Sequence, residues 1–403
     1  TAGAALEAHY GESSIEHAGR IATHLYEAGD RERAATYFAR SAERRLESRQ
    51  LEGAARDYAR AIGLCEPRNR DPSELAAWLS GLAAAVRLVR AAPEAVELCE
   101  RVIARADASG DAPLRVAVRV HAGRVLGAVH MIDLARAQFS AAEQIAGTDD
   151  VLVKLVLSAA AELASRQGDF RRSLTLYERL EKLVGTFGSK QEEHKTLVGL
   201  AQARAAIGDR RGALSCLARA ERLLPADAPS ACERQRVRGL IDYFAADHRA
   251  ASAAVELAID AARHLGLTYE VAENLHTLGE IFIRLDDLPR AYGALKQALA
   301  LTDESGHERL AVYCRTFLAF LDAVAGDRDA DKRLREGILY AEANDFTWDR
   351  LSGHWLQALL SARRGASDAA RIEYQKLLEL AREAGNQLVE RDCERALSGF
   401  GRG

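Results

Sequence analysis

A recurring small–large–small pattern constrains the fold of this chain more than any other feature. It is clearest at Ala291, Leu295 and Ala298, whose spacing of four and three residues places them on one helix face. Related triplets begin at residues 34, 54, 95, 135, 173, 213, 251, 291, 330 and 370. The successive gaps are 20, 41, 40, 38, 40, 38, 40, 39 and 40 residues, which indicates a repeated unit rather than one helical hairpin.

Short breaker sequences precede most of these triplets by four or five residues. Glycine can adopt the left-handed conformation at the end of one helix, and aspartate can cap the start of the next. The pattern therefore predicts a helix, a tight turn, a second helix and a loop in each unit. The breakers are Gly29-Asp30, Gly168-Asp169, Gly208-Asp209, Asp286-Asp287 and Gly326-Asp327.

A single helical hairpin cannot bury both of its apolar faces, so hairpins of this kind stack on one another. Small residues of the pattern let helix axes approach closely, and bulky residues fill the space between them. We predict these packing roles for Gly279, Phe282, Ala291, Leu295, Ala298, Ala213, Leu217 and Ala220.

The pattern resembles the tetratricopeptide repeat (TPR). The family's large, small and aromatic positions are occupied here by Leu275, Leu278, Gly279, Phe282, Ala291, Leu295 and Ala298. The chain departs from the family at Asp303, where proline is usual, and in its period of about 40 residues rather than about 34. The resemblance implies an all-α fold, a right-handed superhelical α-solenoid of about ten helix pairs.

Residues 15–64 are also similar to the junction that follows the nucleotide-binding module in bacterial STAND-type signalling ATPases. Some of those proteins carry a Ser/Thr kinase domain or a LuxR-type DNA-binding domain. The resemblance implies a C-terminal repeat and sensor region of a larger bacterial protein, with the ATPase or kinase domains N-terminal to Thr1. We expect a junction at 1–13, first repeats with a shared helix at 14–66, a regular superhelix at 72–395 and a tail at 396–403.

Composition and motifs argue against several other functions. The net charge is −4 and both signs are interspersed, whereas a nucleic-acid-binding face usually carries a clustered basic stripe. No GxxxxGK[ST], HExxH or GxSxG motif occurs, so we predict no catalytic residues and no cofactor. His9, His17 and His24 lie two helical turns apart, too far for one metal, and we predict no metal site. Most of the six cysteines lie among apolar neighbours, which indicates buried thiols in a reducing, cytoplasmic setting. No apolar run is long enough to span a membrane.

The first helix of each pair would line a concave groove, the usual binding surface of such arrays. Carrying the groove-facing TPR positions along the chain brings together arginine, histidine and tryptophan, which suit recognition of carboxylates and apolar anchors. The predicted groove residues are Lys195, Gln202, Arg236, His276, Glu280, Arg315 and Trp355.

The sequence therefore predicts a non-catalytic protein-interaction and sensor module. Its expected partner is a protein or peptide, with an acidic segment as one candidate, and binding would regulate the attached ATPase or kinase. Two alternatives stay open at this point: an enzyme with an unrecognised active site in the groove, and a repeat scaffold that binds nucleic acid.

Overall fold

The chain folds into α-helices throughout the part that the computed structural model describes, which is residues 16–48, 50–65, 72–85, 92–224, 228–305 and 307–400. These residues form twenty α-helices and no β-strand, which confirms the all-α prediction. The predicted junction at 1–13 and His9 lie outside the described residues. The other predicted domain limits stay predictions.

The helices follow one another with short connections. The first eight are α1 (Ala18–Glu27), α2 (Arg31–Glu47), α3 (Leu51–Leu64), α4 (Pro72–Ala85), α5 (Ala92–Ser109), α6 (Ala112–Ala128), α7 (Ile132–Ala146) and α8 (Asp150–Gln167). The next six are α9 (Phe170–Phe187), α10 (Lys190–Ala206), α11 (Arg210–Leu223), α12 (Ala228–Phe244), α13 (His248–His264) and α14 (Thr268–Arg284). The last six are α15 (Leu288–Ser305), α16 (Glu308–Val324), α17 (Ala330–Ala343), α18 (Thr347–Arg363), α19 (Ser367–Ala384) and α20 (Gln387–Phe400).

The chain divides into two compact units, Thr1–Ala159 and Ala160–Gly403. In the first unit α2 packs against both α1 and α3. In the second unit the even-numbered helices from α10 onward stand in the position of first helices, and each from α10 to α18 packs against the odd-numbered helix that follows it. First helices of successive pairs also contact each other, as α10 does with α12 and α16 with α18.

The tight turns form as the breaker sequences predict. Gly168, Gly208 and Gly326 have φ angles of 79°, 88° and 97°, the left-handed region that glycine adopts without a steric penalty. The carboxylates of Asp169 and Asp209 then accept hydrogen bonds from the backbone N–H groups of the next helix. The predicted cap is missing after Gly326: α17 begins at Ala330, and the carboxylate of Asp327 accepts from the backbone N–H of Asp329 within the turn instead.

The small residues of the pattern lie where two helices approach most closely. A Cβ atom at Gly279 would stand 2.6 Å from Cγ of Leu295, so α14 and α15 could not pack this closely around a larger residue. Ala291, Leu295 and Ala298 have no exposed surface, and the other predicted packing positions are buried as well.

All six cysteines are buried free thiols, as predicted. Burial raises the pKa of the Cys99 and Cys393 thiols to about 12. They pack as small apolar residues.

Candidate functional site

Charged and aromatic side chains from the first helices of the second unit meet in one buried group. Tyr243 comes from α12, Glu280 and Arg284 from α14, Trp355 from α18 and Asp392 from α20. We call these five residues the inner cluster. Four of the five are nearly inaccessible to solvent, and 16% of the Asp392 side chain is exposed.

Arg284 stands at the centre of the inner cluster. Its Nε atom donates a hydrogen bond to the Tyr243 hydroxyl at 3.0 Å, and its Nη2 atom lies 3.5 Å from Oε1 of Glu280. Its Nη1 atom donates to the carboxylate of Asp392. The guanidinium carbon lies 4.1 Å from the centroid of the Trp355 ring, a cation–π distance. The arginine therefore contacts four partners from four different helices.

The protonation equilibria of the inner cluster reflect burial opposed by charge pairing. Burial raises the pKa of Glu280 and outweighs the attraction of Arg284, which lowers it. Burial also raises the pKa of Tyr243, whose hydroxyl donates a hydrogen bond to the Glu280 carboxylate. Burial disfavours the charge on Arg284, but Tyr243, Asp392 and Glu280 outweigh burial, so the pKa of Arg284 is raised. Arg284 thus stays charged while fully enclosed.

A second group of aromatic side chains lies beside the inner cluster. The His276 ring stacks on Tyr313 with centroids 4.0 Å apart and meets Phe317 edge-on at 4.8 Å. The Tyr313 hydroxyl donates to Ser352 Oγ at 2.8 Å. Nε2 of His276 has no hydrogen-bond partner among the described residues, and burial lowers the pKa of His276 to about 3. The imidazole is therefore neutral at neutral pH.

A bidentate ion pair joins α16 to α18. Arg309 donates to the two carboxylate oxygens of Asp349 at 3.0 and 2.8 Å and packs on the Phe346 ring at 4.1 Å. Its Nη1 atom also donates to the backbone carbonyl of Arg166 at 3.0 Å, although the two residues are 143 positions apart. The fork of an arginine suits such simultaneous contacts.

Helices that are far apart in sequence touch at several places in the second unit. Trp348 packs edge-to-face on Phe170 and Phe244 at 5.8 and 5.5 Å, and Arg391 donates to the Phe244 carbonyl across 147 positions. With the Arg309–Arg166 and Arg284–Asp392 pairs they form a set that we call the closing contacts. Each repeat of an open solenoid contacts only its neighbours. The second unit therefore closes on itself.

The sequence-predicted groove residues take different positions. Glu280 and Trp355 belong to the inner cluster, and His276 lies beside it. The remaining four do not join them: Gln202 and Arg236 are half-buried, and Lys195 and Arg315 are exposed. Whether any of the seven binds a partner stays a prediction.

The exposed position of Arg315 has a geometric reason. The first helices α14 and α16 begin 40 residues apart, at Thr268 and Glu308, whereas the small residues Ala291 and Ala330 of the second helices are 39 apart. An alignment of the repeats that is based on the second helices is therefore shifted by one residue on α16. Thr316, which is buried, is the residue 40 positions after His276.

Sequence reasoning missed Arg284, Tyr243 and Asp392. A signal for Arg284 was available, because a lone charge within the apolar run 281–285 has to find a partner when it is buried. No local pattern could join Arg284 to Asp392, since 108 positions separate them.

The described residues offer no arrangement of three or more His, Cys, Asp or Glu side chains that could hold a metal ion. His24, one of the histidines considered for a metal, lies instead beside Glu27 at 3.4 Å. Among the same described residues, no helix has the length and apolar character that crossing a membrane requires.

No family model matches the chain, and no curated protein matches it either. Solved structures do. A Rap protein complexed with competence and sporulation factor superposes with a TM-score of 0.64 at 12% identity, covering 88% of this chain and 99% of that one.

Two further solved structures match more weakly. A Rap conjugation gene regulator of the plasmid pLS20, in complex with the Phr* peptide, has a TM-score of 0.47 at 12% identity and covers 77% of this chain and 96% of that one. A STAND protein with a tetratricopeptide repeat sensor from Pyrococcus horikoshii has a TM-score of 0.46 at 12% identity, covering 91% of this chain and 55% of that one. The repeated helix pairs, their turns and the superposition on the Rap protein agree: this chain has the fold of a TPR-type helical-repeat protein.

Proposed function

We propose that this chain is a non-catalytic protein-interaction and sensor module, which binds a protein or peptide along the first helices of its second unit. In this proposal binding regulates an ATPase or kinase domain attached to the chain. The inner cluster is the observation that carries the proposal. Burying an arginine among two carboxylates and a tyrosine is seldom more stable than burying apolar side chains of the same volume. A cluster used only for packing would therefore not need these residues.

The chemistry of the first helices suits a peptide ligand. Arg236 is half-buried on α12 and Arg315 is exposed on α16, whereas Trp355 lies deeper inside, where Arg284 covers its ring. Arginine recognises carboxylates through its planar fork, and aromatic residues dominate the binding energy of many interfaces. The Rap protein with the same fold was solved with a bound factor, which supports this use of the fold.

The test is capture of a partner by chemical cross-linking, with the full chain as bait. We expect the double variant Arg236→Glu/Arg315→Glu to capture the partner at least tenfold less well than the wild type, because two attractive charges become repulsive. The matched control is Arg249→Glu/Arg371→Glu, which makes the same charge change at exposed positions on second helices. Equal capture by the two double variants would contradict binding along the first helices.

A further inference from the structure

The last helix, α20, supplies part of the inner cluster from the far end of the chain. Asp392 accepts from Arg284 of α14, and Arg391 donates to the Phe244 carbonyl at the end of α12. Gln387 lies so close to Gly208, in the turn before α11, that a Cβ atom at Gly208 would collide with it. Polar contacts thus hold α20 against helices that are much earlier in the chain.

The apolar contribution of α20 is small. Leu388, Val389 and Cys393 are buried in its first half, but residues 394–400 are exposed or half-buried. Among the described residues, its main packing partner is α19. Elements with few buried apolar side chains open at low free energy, so α20 is suited to local detachment.

An external carboxylate could replace one of the two carboxylates beside Arg284, but it could not be added as a third. Arg284 already faces Glu280 and Asp392, and a third carboxylate beside one guanidinium would meet strong repulsion in a buried site. If Asp392 left, Arg284 would keep Glu280 and the Tyr243 hydroxyl, both within its reach. The arginine would not be left as an unpaired buried charge, which is the costly case.

We propose that α20 is a displaceable internal ligand, and that the partner of this module presents an acidic helix whose carboxylate replaces Asp392 on Arg284. The inference rests on the proposed function, because it names the chemistry of the partner and the place where it binds. An amphipathic helix laid on the first helices is an established mode of peptide recognition. Its binding would break the closing contacts made by α20, so partner capture and the position of the C-terminal helix are coupled.

The experiment uses a labelled peptide with the sequence of residues 387–400, carrying serine in place of Cys393, and the full chain as receptor. In the variant Arg391→Gln/Asp392→Asn, which we call the α20 variant, the internal helix loses its contacts with Arg284 and with the Phe244 carbonyl, while Arg284 keeps Glu280. We expect the peptide to bind this variant at least tenfold more tightly than the wild type. Hydrogen exchange of residues 387–400 should accelerate at least tenfold, with the other helices still protected.

Two controls isolate the carboxylate. The matched variant Asp331→Asn/Arg371→Gln changes the same charges away from the inner cluster, and its peptide affinity should equal that of the wild type. A peptide with asparagine at the Asp392 position should bind the α20 variant at least tenfold more weakly than the aspartate peptide. The inference is overturned if the peptide binds the wild type and the α20 variant with equal affinity. It is also overturned if the aspartate and asparagine peptides bind the α20 variant with equal affinity.

The outcomes separate this inference from the proposed function. A captured partner that binds the wild type and the α20 variant equally overturns displacement and leaves the proposed function standing. Gain of peptide binding, together with equal capture in the Arg236/Arg315 comparison, overturns partner binding along the first helices and leaves only the displacement of α20 by an acidic helix standing.

Discussion

At the scale of single residues, the second unit encloses ionisable groups whose protonation depends on folding. His276 is 3% exposed, and its ring packs against the aromatic side chains of Tyr313 and Phe317. Burial lowers its pKa to about 3, against about 6.5 in an unfolded chain. Between these pH values the unfolded chain binds more protons than the folded one, so acid favours unfolding.

The pH dependence of stability tests this directly. Between pH 6.5 and 4.5 the wild type should lose about 2 kcal/mol more free energy of unfolding than His276→Phe, since each pH unit in this window contributes up to about 1.4 kcal/mol. Urea titrations at the two pH values measure the difference. The buried Glu280 has a raised pKa and acts with the opposite sign, but it is present in both proteins.

The control for the histidine is His264→Phe, which removes an exposed imidazole from the end of α13. This variant should keep the pH dependence of the wild type. If His276→Phe also keeps it, His276 does not titrate with the shift that its burial implies.

At the scale of helices, the small residues of the repeat allow two helix axes to approach closely. Gly279 of α14 faces Leu295 of α15, and Ala291 and Ala298 flank that leucine on the same helix face. Their side chains are small because the partner helix occupies the space that a longer side chain would need. The sequence carries this information locally, which is why the helix pairs and their packing faces were predictable.

An arginine at one of these small positions should break the pair. Ala291→Arg places a long charged side chain where no surface is exposed, and we expect a loss of at least about 3 kcal/mol in the free energy of unfolding. Gln297→Arg, on the exposed face of the same helix, should change stability by less than about 0.5 kcal/mol. Chemical denaturation compares them, and similar losses would show that the face of α15 does not matter.

At the scale of the molecule, the closing contacts distinguish the second unit from an open stack of hairpins. Trp348 contacts Phe170, Tyr243 and Phe244, and it also lies against the backbone of the turn at Gly168. These contacts link α18 to α9 and α12, which stacking of neighbours alone would not bring together. A change that loosens the packing at one end of the second unit should therefore also loosen the packing at the other end.

Removal of this tryptophan should expose two distant segments at once. In Trp348→Ala we expect a loss of about 2 kcal/mol and faster hydrogen exchange both at the start of α18 and in the first turn of α9. Tyr292→Ala, which removes a partly exposed aromatic ring from a second helix, should leave the exchange of α9 unchanged. Faster exchange confined to α18 would contradict closure of the unit.

Local patterns determined the helices, their turns and the buried faces of the repeat. Gly208 and Asp209 end α10 and cap α11 through their own backbone and side-chain chemistry, and the triplets at 213 and 291 mark the packing faces. Such features depend on residues a few positions apart, so the sequence alone is sufficient to predict them.

Only the tertiary structure decided which side chains meet inside the second unit. A one-residue difference in helix spacing placed Arg315 at the surface, and the path of the chain brought Asp392 to Arg284 over 108 positions. Small rotations between successive helix pairs accumulate along a repeat array, and local sequence does not state their sum. The fold therefore follows from the local pattern of the repeat. The inner cluster depends on the summed rotation between successive helix pairs, which only the tertiary structure shows.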